Sequence, residues 1–437
     1  MLIADSGEER RIVCKDIIIP GACIRAEGEL SAELKLITHK IEILNGENER
    51  TAYEAIIKKI KSSLAIPDKP ALLPNDEVML ALWPKLNAAA LDFAVADKLH
   101  RSIMLRFHGD ADGICGAFAL TSVLHCKAFQ QNSAVYSVRD ALRDISLIGQ
   151  ENRPFIILLD FGSSDPCNEG LELLRAANIQ YIVIDHHPLG KRPPEKTISP
   201  FQVSEKASKY TAGYLACEIG CAIGIGLDRE RALELAKTAC AGDKSDILPI
   251  KKEDVKKAMV LDYLASHVSF GNNLDFYKSV MANPELFASI AGQAEESIEE
   301  AAQKAMEGMK SSNTQNAKLE TFIFALGRVV KRGEWPPSSK VTTRIFDKIR
   351  TGPEGHGKAI ICLGYTERSI IMRISDEAVA LGFSANTLAQ KMKDSMADFV
   401  DGGGGHVKAG AIKVKVGFVK EVLNELSREI ERGQASG

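Results

Sequence analysis

The sequence predicts an α/β protein built from a parallel-sheet domain and a smaller C-terminal α/β domain, and three observations predict it. Short apolar runs at Ile103–Phe107, Phe155–Leu159 and Tyr181–Ile184 are each bounded by polar residues, Gly or Pro, as buried strands of a parallel sheet are. Helix-like stretches lie between them, so the strands read as βαβ units with right-handed crossovers. A polar run, Ser311-Ser312-Asn313-Thr314-Gln315-Asn316, then separates a second set of strand and helix patterns. At 437 residues, the chain exceeds what one core accommodates.

In order along the chain, residues 1–70 form an N-terminal extension. Alternation at Glu33–Thr38 and Lys40–Leu44, with Asn45-Gly46 as a turn signal, predicts a small β-rich element, followed by a helix over Thr51–Leu64. This extension reads equally as a packing element or as a nucleic-acid-binding module. The proline-rich Pro67–Pro74 predicts a linker. The first domain spans 71–310. It opens with a helix over 76–100, whose Val78, Leu82, Leu86, Ala89 and Phe93 recur at helical spacing. After the Ile103 strand, Ile114–Phe129 predicts a crossover helix and Ala134–Val138 a strand. Gly170–Asn178 predicts the helix before the Tyr181 strand. Residues 208–240 read as apolar helices, and 251–310 as helices broken at Asn283-Pro284. The second domain, 318–437, has strand patterns at Phe322–Leu326, Ala359–Leu363, Ser369–Ile374 and Ala411–Val416, and helix patterns at 384–399 and 417–432.

Composition excludes several classes. With 45% hydrophobic and 26% charged residues and no uninterrupted apolar run of membrane-spanning length, no membrane span is expected. The first nine residues lack a basic stretch and an apolar core, so no signal peptide is expected. Nine scattered cysteines without a Cys-x-x-Cys pair read as reduced thiols of a cytoplasmic protein. A net charge of −3 means that binding to a nucleic acid would depend on local positive patches, with Lys251-Lys252, Lys256-Lys257 and Arg328–Arg332 as the basic clusters.

The three apolar runs converge on one chemistry. His108-Gly109-Asp110-Ala111-Asp112-Gly113 follows the first, Asp160-Phe161-Gly162 the second and Asp185-His186-His187 the third. Each places acids or imidazoles just past a strand end, where open α/β sheets bind ligands. A fourth segment, Gly242-Asp243-Lys244-Ser245-Asp246, adds two carboxylates. Gathering Asp110, Asp112, Asp160 and Asp246 without cations is costly, because like charges and burial both oppose ionisation. Two divalent ions remove that objection, with His108 and His186 completing the ligand sets. Mixed carboxylate and imidazole ligation favours Mn²⁺, or Mg²⁺ with more water.

The ordered set His-x-Asp-x-Asp-Gly, Asp-x-Gly, Asp-His-His and Gly-x-x-x-Asp resembles the four motifs of the DHH phosphoesterases. With Ala71–Pro74 and Leu82-Trp83-Pro84-Lys85-Leu86, it is most similar to archaeal RecJ-like nucleases. The resemblance implies a two-metal phosphodiester hydrolase, a single-strand-specific exonuclease acting on DNA or RNA in repair or replication. It implies one ion held by His108, Asp110 and Asp160 and the other by Asp112, Asp160, His186 and Asp246. His187 would act on the phosphoryl oxygens or leaving group, and Asp185 would orient a neighbour. Asp243 competes with Asp246, whose spacing from Gly242 follows the family.

Asp401-Gly402-Gly403-Gly404-Gly405-His406 resembles the Gly-Gly-Gly-His loop of the DHH-associated domain, and Met372-Arg373-Ile374-Ser375 its Arg-containing strand. By that resemblance Arg373, Ser375, Gly404, Gly405 and His406 would bind single-stranded nucleic acid across a cleft from the metals. The alternatives are a phosphoesterase of small molecules or short oligonucleotides, and an active enzyme that also docks on a replisome protein such as GINS.

Overall fold

The computed structural model describes residues 2–3, 9–14, 18–33, 35–205, 207–224, 226–268, 274–313, 319–353 and 357–435. Leu34, residues 4–8 and Thr314–Asn316 of the expected linker therefore lie outside the described residues. The chain divides into two compact units, Met1–Pro284 and Glu285–Gly437.

The first unit is organised by a five-stranded sheet in the order 197–198, 180–184, 155–159, 103–108, 126–131, parallel throughout. Ile103–His108 lies inside the sheet. Its next strand in sequence, Cys126–Gln131, pairs on one side, and Phe155–Leu159 pairs on the other. The chain thus reverses its direction of travel across the sheet at the carboxyl end of Ile103–His108. That is the topological switch point at which α/β sheets bind ligands. The strand interiors are apolar because both sheet faces are covered: Leu105, Phe107, Ile156, Ile157, Leu158, Val183 and Ile184 are fully buried.

Three local readings are corrected. The expected strand at Ala134–Val138 is absent; Cys126–Gln131 is the strand, and Val138 begins a helix ending at Ile148. Asn45-Gly46 is no hairpin turn, because Asn45 caps the helix Gly46–Ser63 directly after strand Leu36–Ile43. The Pro67–Pro74 stretch is anchored rather than loose. Backbone N–H groups of Ala71, Leu72 and Leu73 donate to the buried Glu218 carboxylate at 2.7–3.2 Å. One helix among the described residues, Glu77–Lys98, is long and apolar enough to cross a membrane; here its Met79, Leu82, Leu86 and Phe93 are fully buried.

The second unit is a six-stranded mixed sheet in the order 310–313, 319–325, 359–365, 369–374, 409–414, 400–405. Helices Ala385–Ser395 and Val419–Ala435 contribute to one apolar cluster with Leu363, Met372 and Ile412. Helix Ser338–Thr351 and the end of helix Pro284–Met306 form another with Phe322 and Phe324. Ser311–Asn313, expected in the interdomain linker, belong to the edge strand Lys310–Asn313, paired antiparallel with Leu319–Ala325. The glycine run is a strand too: Val400–Gly405 pairs antiparallel with Ala409–Val414.

Candidate metal centre

Each strand end at the switch point delivers its ligands by a distinct local device. Beyond Ile103–His108, Asp110 caps the helix Ala111–Val123, its Oδ1 accepting from the Gly113 N–H at 3.0 Å. Its Oδ2 lies 2.7 Å from His108 Nδ1. Asp112, two residues into the helix, is buried. Its two oxygens accept the Ala212 and Gly213 N–H groups, 2.9 and 3.0 Å away, at the start of helix Ala212–Ile223. Gly213 is required there, since a Cβ would lie 2.5 Å from the Asp112 carbonyl oxygen. Two helix N-termini thus support the acids of the first motif.

Asp160 follows strand Phe155–Leu159 with φ +66°, a conformation few non-glycine residues adopt. Backbone held there by its surroundings marks functional positions, and its N–H is held by the Ile184 carbonyl at 2.8 Å. The buried carboxylate points one oxygen at each side of the cluster. Oδ2 is 3.5 Å from His108 Nδ1, and Oδ1 is 3.5 Å from His186 Nε2 and 3.8 Å from His187 Nδ1.

After strand Gln180–Ile184 the three residues of the Asp-His-His motif separate in role. Asp185 is buried and turned to the protein, accepting from Ser163 N and Oγ and from His187 N and Nδ1. His186 is buried, its Nδ1 2.9 Å from the Ser208 carbonyl; this fixes Nδ1 as the donor and leaves Nε2 free to ligate. Around Nε2 stand Asp243 Oδ2 at 2.9 Å, Asp160 Oδ1 at 3.5 Å and Asp112 Oδ2 at 3.8 Å. His187 is half exposed.

Asp243, rather than the expected Asp246, brings the fourth-motif carboxylate to His186. Asp243 is the C-terminal cap of helix Arg229–Gly242, and Lys244 at φ +57° turns the chain away. Asp246 falls beyond that turn, exposed. Among the described residues three groups have ligand atoms close enough to share an ion: His108, Asp110 and Asp160; Asp112, His186 and Asp243; and Asp160, His186 and His187. Asp246 is in none of them.

The electrostatics show what the cluster lacks. Burial, reinforced by Asp110 and Asp112, holds the Asp160 carboxyl well above the usual carboxylate range. Burial and then Asp243 push Asp112 up to about 7, against the pull of His186. Burial alone would lower His108 and His186, but Asp110 and Asp160 raise the first, and Asp243, Asp112 and Asp160 raise the second, well above ordinary imidazole. Burial also opposes ionisation of Asp110, yet the neighbouring His108 and the Gly113 N–H hold it below the usual range. Such a cluster calls for positive charge. Asp160 Oδ1 and His186 Nε2 are buried without a hydrogen-bond partner, although Asp243 Oδ2 lies 2.9 Å from Nε2. Buried polar atoms are nearly always satisfied; two that face each other here fit ligation of a divalent cation.

Residues 102–242 match the model of the DHH family N-terminal domain. The chain carries a DHH-family domain. Over 457 aligned residues it is 23% identical to an uncharacterised protein of Methanocaldococcus jannaschii, covering 88% of this chain and 58% of that protein. The chain therefore spans little more than half the length of that curated relative. Among solved structures, the DHH domain of a protein described as a member of a ribosomal-protein family superposes with a TM-score of 0.74 at 23% identity, covering 89% of this chain and 99% of that one. RecJ from Thermus thermophilus in complex with Mn²⁺ superposes with a TM-score of 0.51 at 15% identity, covering 85% and 56%. These likenesses bear on the fold.

The second unit's predicted residues are placed differently from one another. Gly404 and Gly405 lie in the edge strand Val400–Gly405, and Gly405, at φ +145°, brings its Cα side so close that a Cβ would sit 2.3 Å from the Ala409 carbonyl oxygen. His406 is exposed in the connection to the next strand, its N–H donating to Ala409 O at 2.7 Å. Arg373 is buried. Its Nε donates to Thr343 Oγ1 at 3.0 Å and its terminal nitrogens to the Met372 and Ser339 carbonyls. Ser375 is fully buried, and its hydroxyl accepts from Ile360 N and Ala378 N as the cap of helix Asp376–Ala380. Three donors of Arg373 and the hydroxyl of Ser375 are thus engaged within their own unit, whereas His406 is exposed.

Proposed function

We propose that the chain is a two-metal phosphodiester hydrolase, a RecJ-like exonuclease of single-stranded DNA or RNA. The observation that carries this is the convergence of Asp112, Asp160 and Asp243 on the unpartnered Nε2 of buried His186, with His108 and Asp110 on the other oxygen of Asp160. His108, Asp110 and Asp160 would hold one ion, and Asp112, Asp160, His186 and Asp243 the other, Mn²⁺ by preference with Mg²⁺ as substitute. When bound, the ions supply the positive charge that an in-line displacement at phosphorus develops a need for.

The chain's own residues do the rest. Asp185 fixes the His187 ring through Nδ1, turning its Nε2 edge to the phosphoryl and leaving oxygens, where the ring can exchange a proton with them. Asp112, held by two backbone N–H groups, keeps one carboxylate fixed while Asp160 addresses both ligand groups. The glycine edge strand and His406 offer backbone N–H groups and an imidazole to a phosphate backbone. DNA or RNA readout by base edges has no support in the residue types present, and a replisome partner such as GINS belongs to this proposal only through the resemblance.

The test is digestion of end-labelled single-stranded DNA and RNA with Mn²⁺, with products resolved from each end. Stepwise loss of terminal nucleotides is the expected result. Hydrolysis of minimal phosphodiesters alone, without attack on oligonucleotides, favours the small-molecule reading. No hydrolysis of any diester overturns both.

A further inference from the structure

The DHH-family match ends at residue 242, but the metal cluster draws support from beyond it. Asp262 lies on helix Lys252–His267, and its Oδ1 accepts the backbone N–H of Ala111 at 2.8 Å. Ala111 is the first residue of helix Ala111–Val123 and stands between the proposed ligands Asp110 and Asp112.

The first N–H groups of a helix have no partner within it. Asp110, as the cap, satisfies the N–H of Gly113, which leaves those of Ala111 and Asp112; Asp262 takes the first. That group belongs to the Asp110–Ala111 peptide, the first of the two that link the ligands, so whatever holds it bears on how their carboxylates are spaced. Ala111 is fully buried, and a Cβ on Gly242 would come within 2.9 Å of the Ala111 Cβ. The peptide is thus wedged on one side by the helix ending at Gly242 and tied on another by Asp262. A bond from a carboxylate to a helix N-terminus is charge-assisted and stronger than a neutral one. Yet a carboxylate at this place also brings one more negative charge towards Asp110 and Asp112, which costs free energy.

We propose that Asp262 is a positioning residue of the metal centre, fixing the Asp110–Ala111 peptide so that Asp110 and Asp112 present their carboxylates at a set separation. The assignment rests on the two-metal reading above. Asp262 itself ligates nothing; it acts through the backbone of Ala111.

Two conservative variants separate geometry from charge. Asp262→Asn keeps an acceptor at the same reach without the charge. Asp262→Glu keeps the charge and displaces the acceptor. The metal-stripped proteins are titrated with Mn²⁺ by calorimetry, and activity is then measured against Mn²⁺ concentration. Partners that orient metal ligands are worth roughly 10–100-fold in affinity. The expected result is that Asp262→Glu weakens Mn²⁺ binding at least about tenfold, with kcat recovering as Mn²⁺ is raised, while Asp262→Asn stays within about threefold of wild type. The reverse ranking makes the effect one of charge and overturns the proposal, as does wild-type affinity in both variants. If wild type binds no Mn²⁺, the metal reading itself falls and takes this one with it. If wild type binds and Asp262→Glu binds equally, only the role of Asp262 falls.

Discussion

The carboxylate of Asp185 grips His187 at two points, its backbone N–H at 3.1 Å and its ring Nδ1 at 2.8 Å. Burial works against ionisation of Asp185, but the His187 ring and the Ser163 hydroxyl outweigh it and hold the carboxyl well below its usual range. Asp185→Asn is therefore expected to lower kcat at least about tenfold by freeing the imidazole, with Mn²⁺ affinity close to wild type. The sign of the pH effect follows from the depressed value. The stabilisation is present above the unfolded carboxyl's titration at ~3.9 and is lost as pH falls below it. Denaturant unfolding of wild type and variant should show a gap at pH 7 that shrinks at pH 3. A gap that persists in acid overturns the assignment.

Asp243 and Asp246 make opposite predictions. The Asp243 carboxylate stands 2.9 Å from His186 Nε2, whereas Asp246, beyond the turn, belongs to none of the candidate groups among the described residues. Asp243→Ala should weaken binding of one Mn²⁺ at least about tenfold, and Asp246→Ala should change it much less. Calorimetric titration of both variants checks this, and the reverse order would restore Asp246 as the ligand.

Asp160→Ala is expected to abolish hydrolysis while the metal-free protein melts no lower than wild type. Its carboxyl is raised by burial and by Asp110 and Asp112, so removing it relieves repulsion. In wild type, Mn²⁺ at one hundred times its dissociation constant should add about 2.7 kcal/mol to stability. Scanning calorimetry with EDTA and with Mn²⁺ reads both effects, and identical wild-type melts would count against a preformed metal site.

In the second unit, the exposed His406 and the buried Arg373 should part company. His406→Ala is expected to reduce kcat/KM on single-stranded oligonucleotides at least about tenfold, or roughly 1.4 kcal/mol, with little change on a minimal activated phosphodiester. Both assays share the same Mn²⁺ and salt, since phosphate contacts are salt-sensitive. Arg373→Ala strips donors from Thr343, Met372 and Ser339 and should instead destabilise the fold by about 1–3 kcal/mol, read by denaturant unfolding. Equal loss by His406→Ala on both substrates would place His406 in the chemical step.

The central strands were legible because strands buried on both faces read as unbroken apolar runs, and the candidate ligands follow directly in sequence. Cys126–Gln131 is hidden because an edge strand needs no such run; its first residues read as the end of the expected helix over Ile114–Phe129, which stops at Val123. The glycine strand Val400–Gly405 carries no local signal at all, since its conformation comes from pairing with Ala409–Val414. Asn45-Gly46 carries a turn signal, but a helix cap uses the same residues. Residue spacing points to Asp246, but one left-handed residue, Lys244, turns the chain so that Asp243 stands beside His186 instead. Asp262 lay beyond reach for another reason: its partner is a backbone N–H, which leaves no trace in side-chain chemistry.

The order in which the strands cross the sheet has a consequence for synthesis. His108, Asp110 and Asp112 leave the ribosome first, but the inner neighbour of their strand, Phe155–Leu159, is made only after the edge strand Cys126–Gln131. Asp160, His186 and Asp243 follow later still. The group His108, Asp110 and Asp160 can therefore come together before the group Asp112, His186 and Asp243 is made, and contacts so distant in sequence form slowly. On the two-metal reading the two sites would thus mature in order, and a truncated chain ending before Asp243 would carry the first three motifs with only the His108, Asp110 and Asp160 group complete.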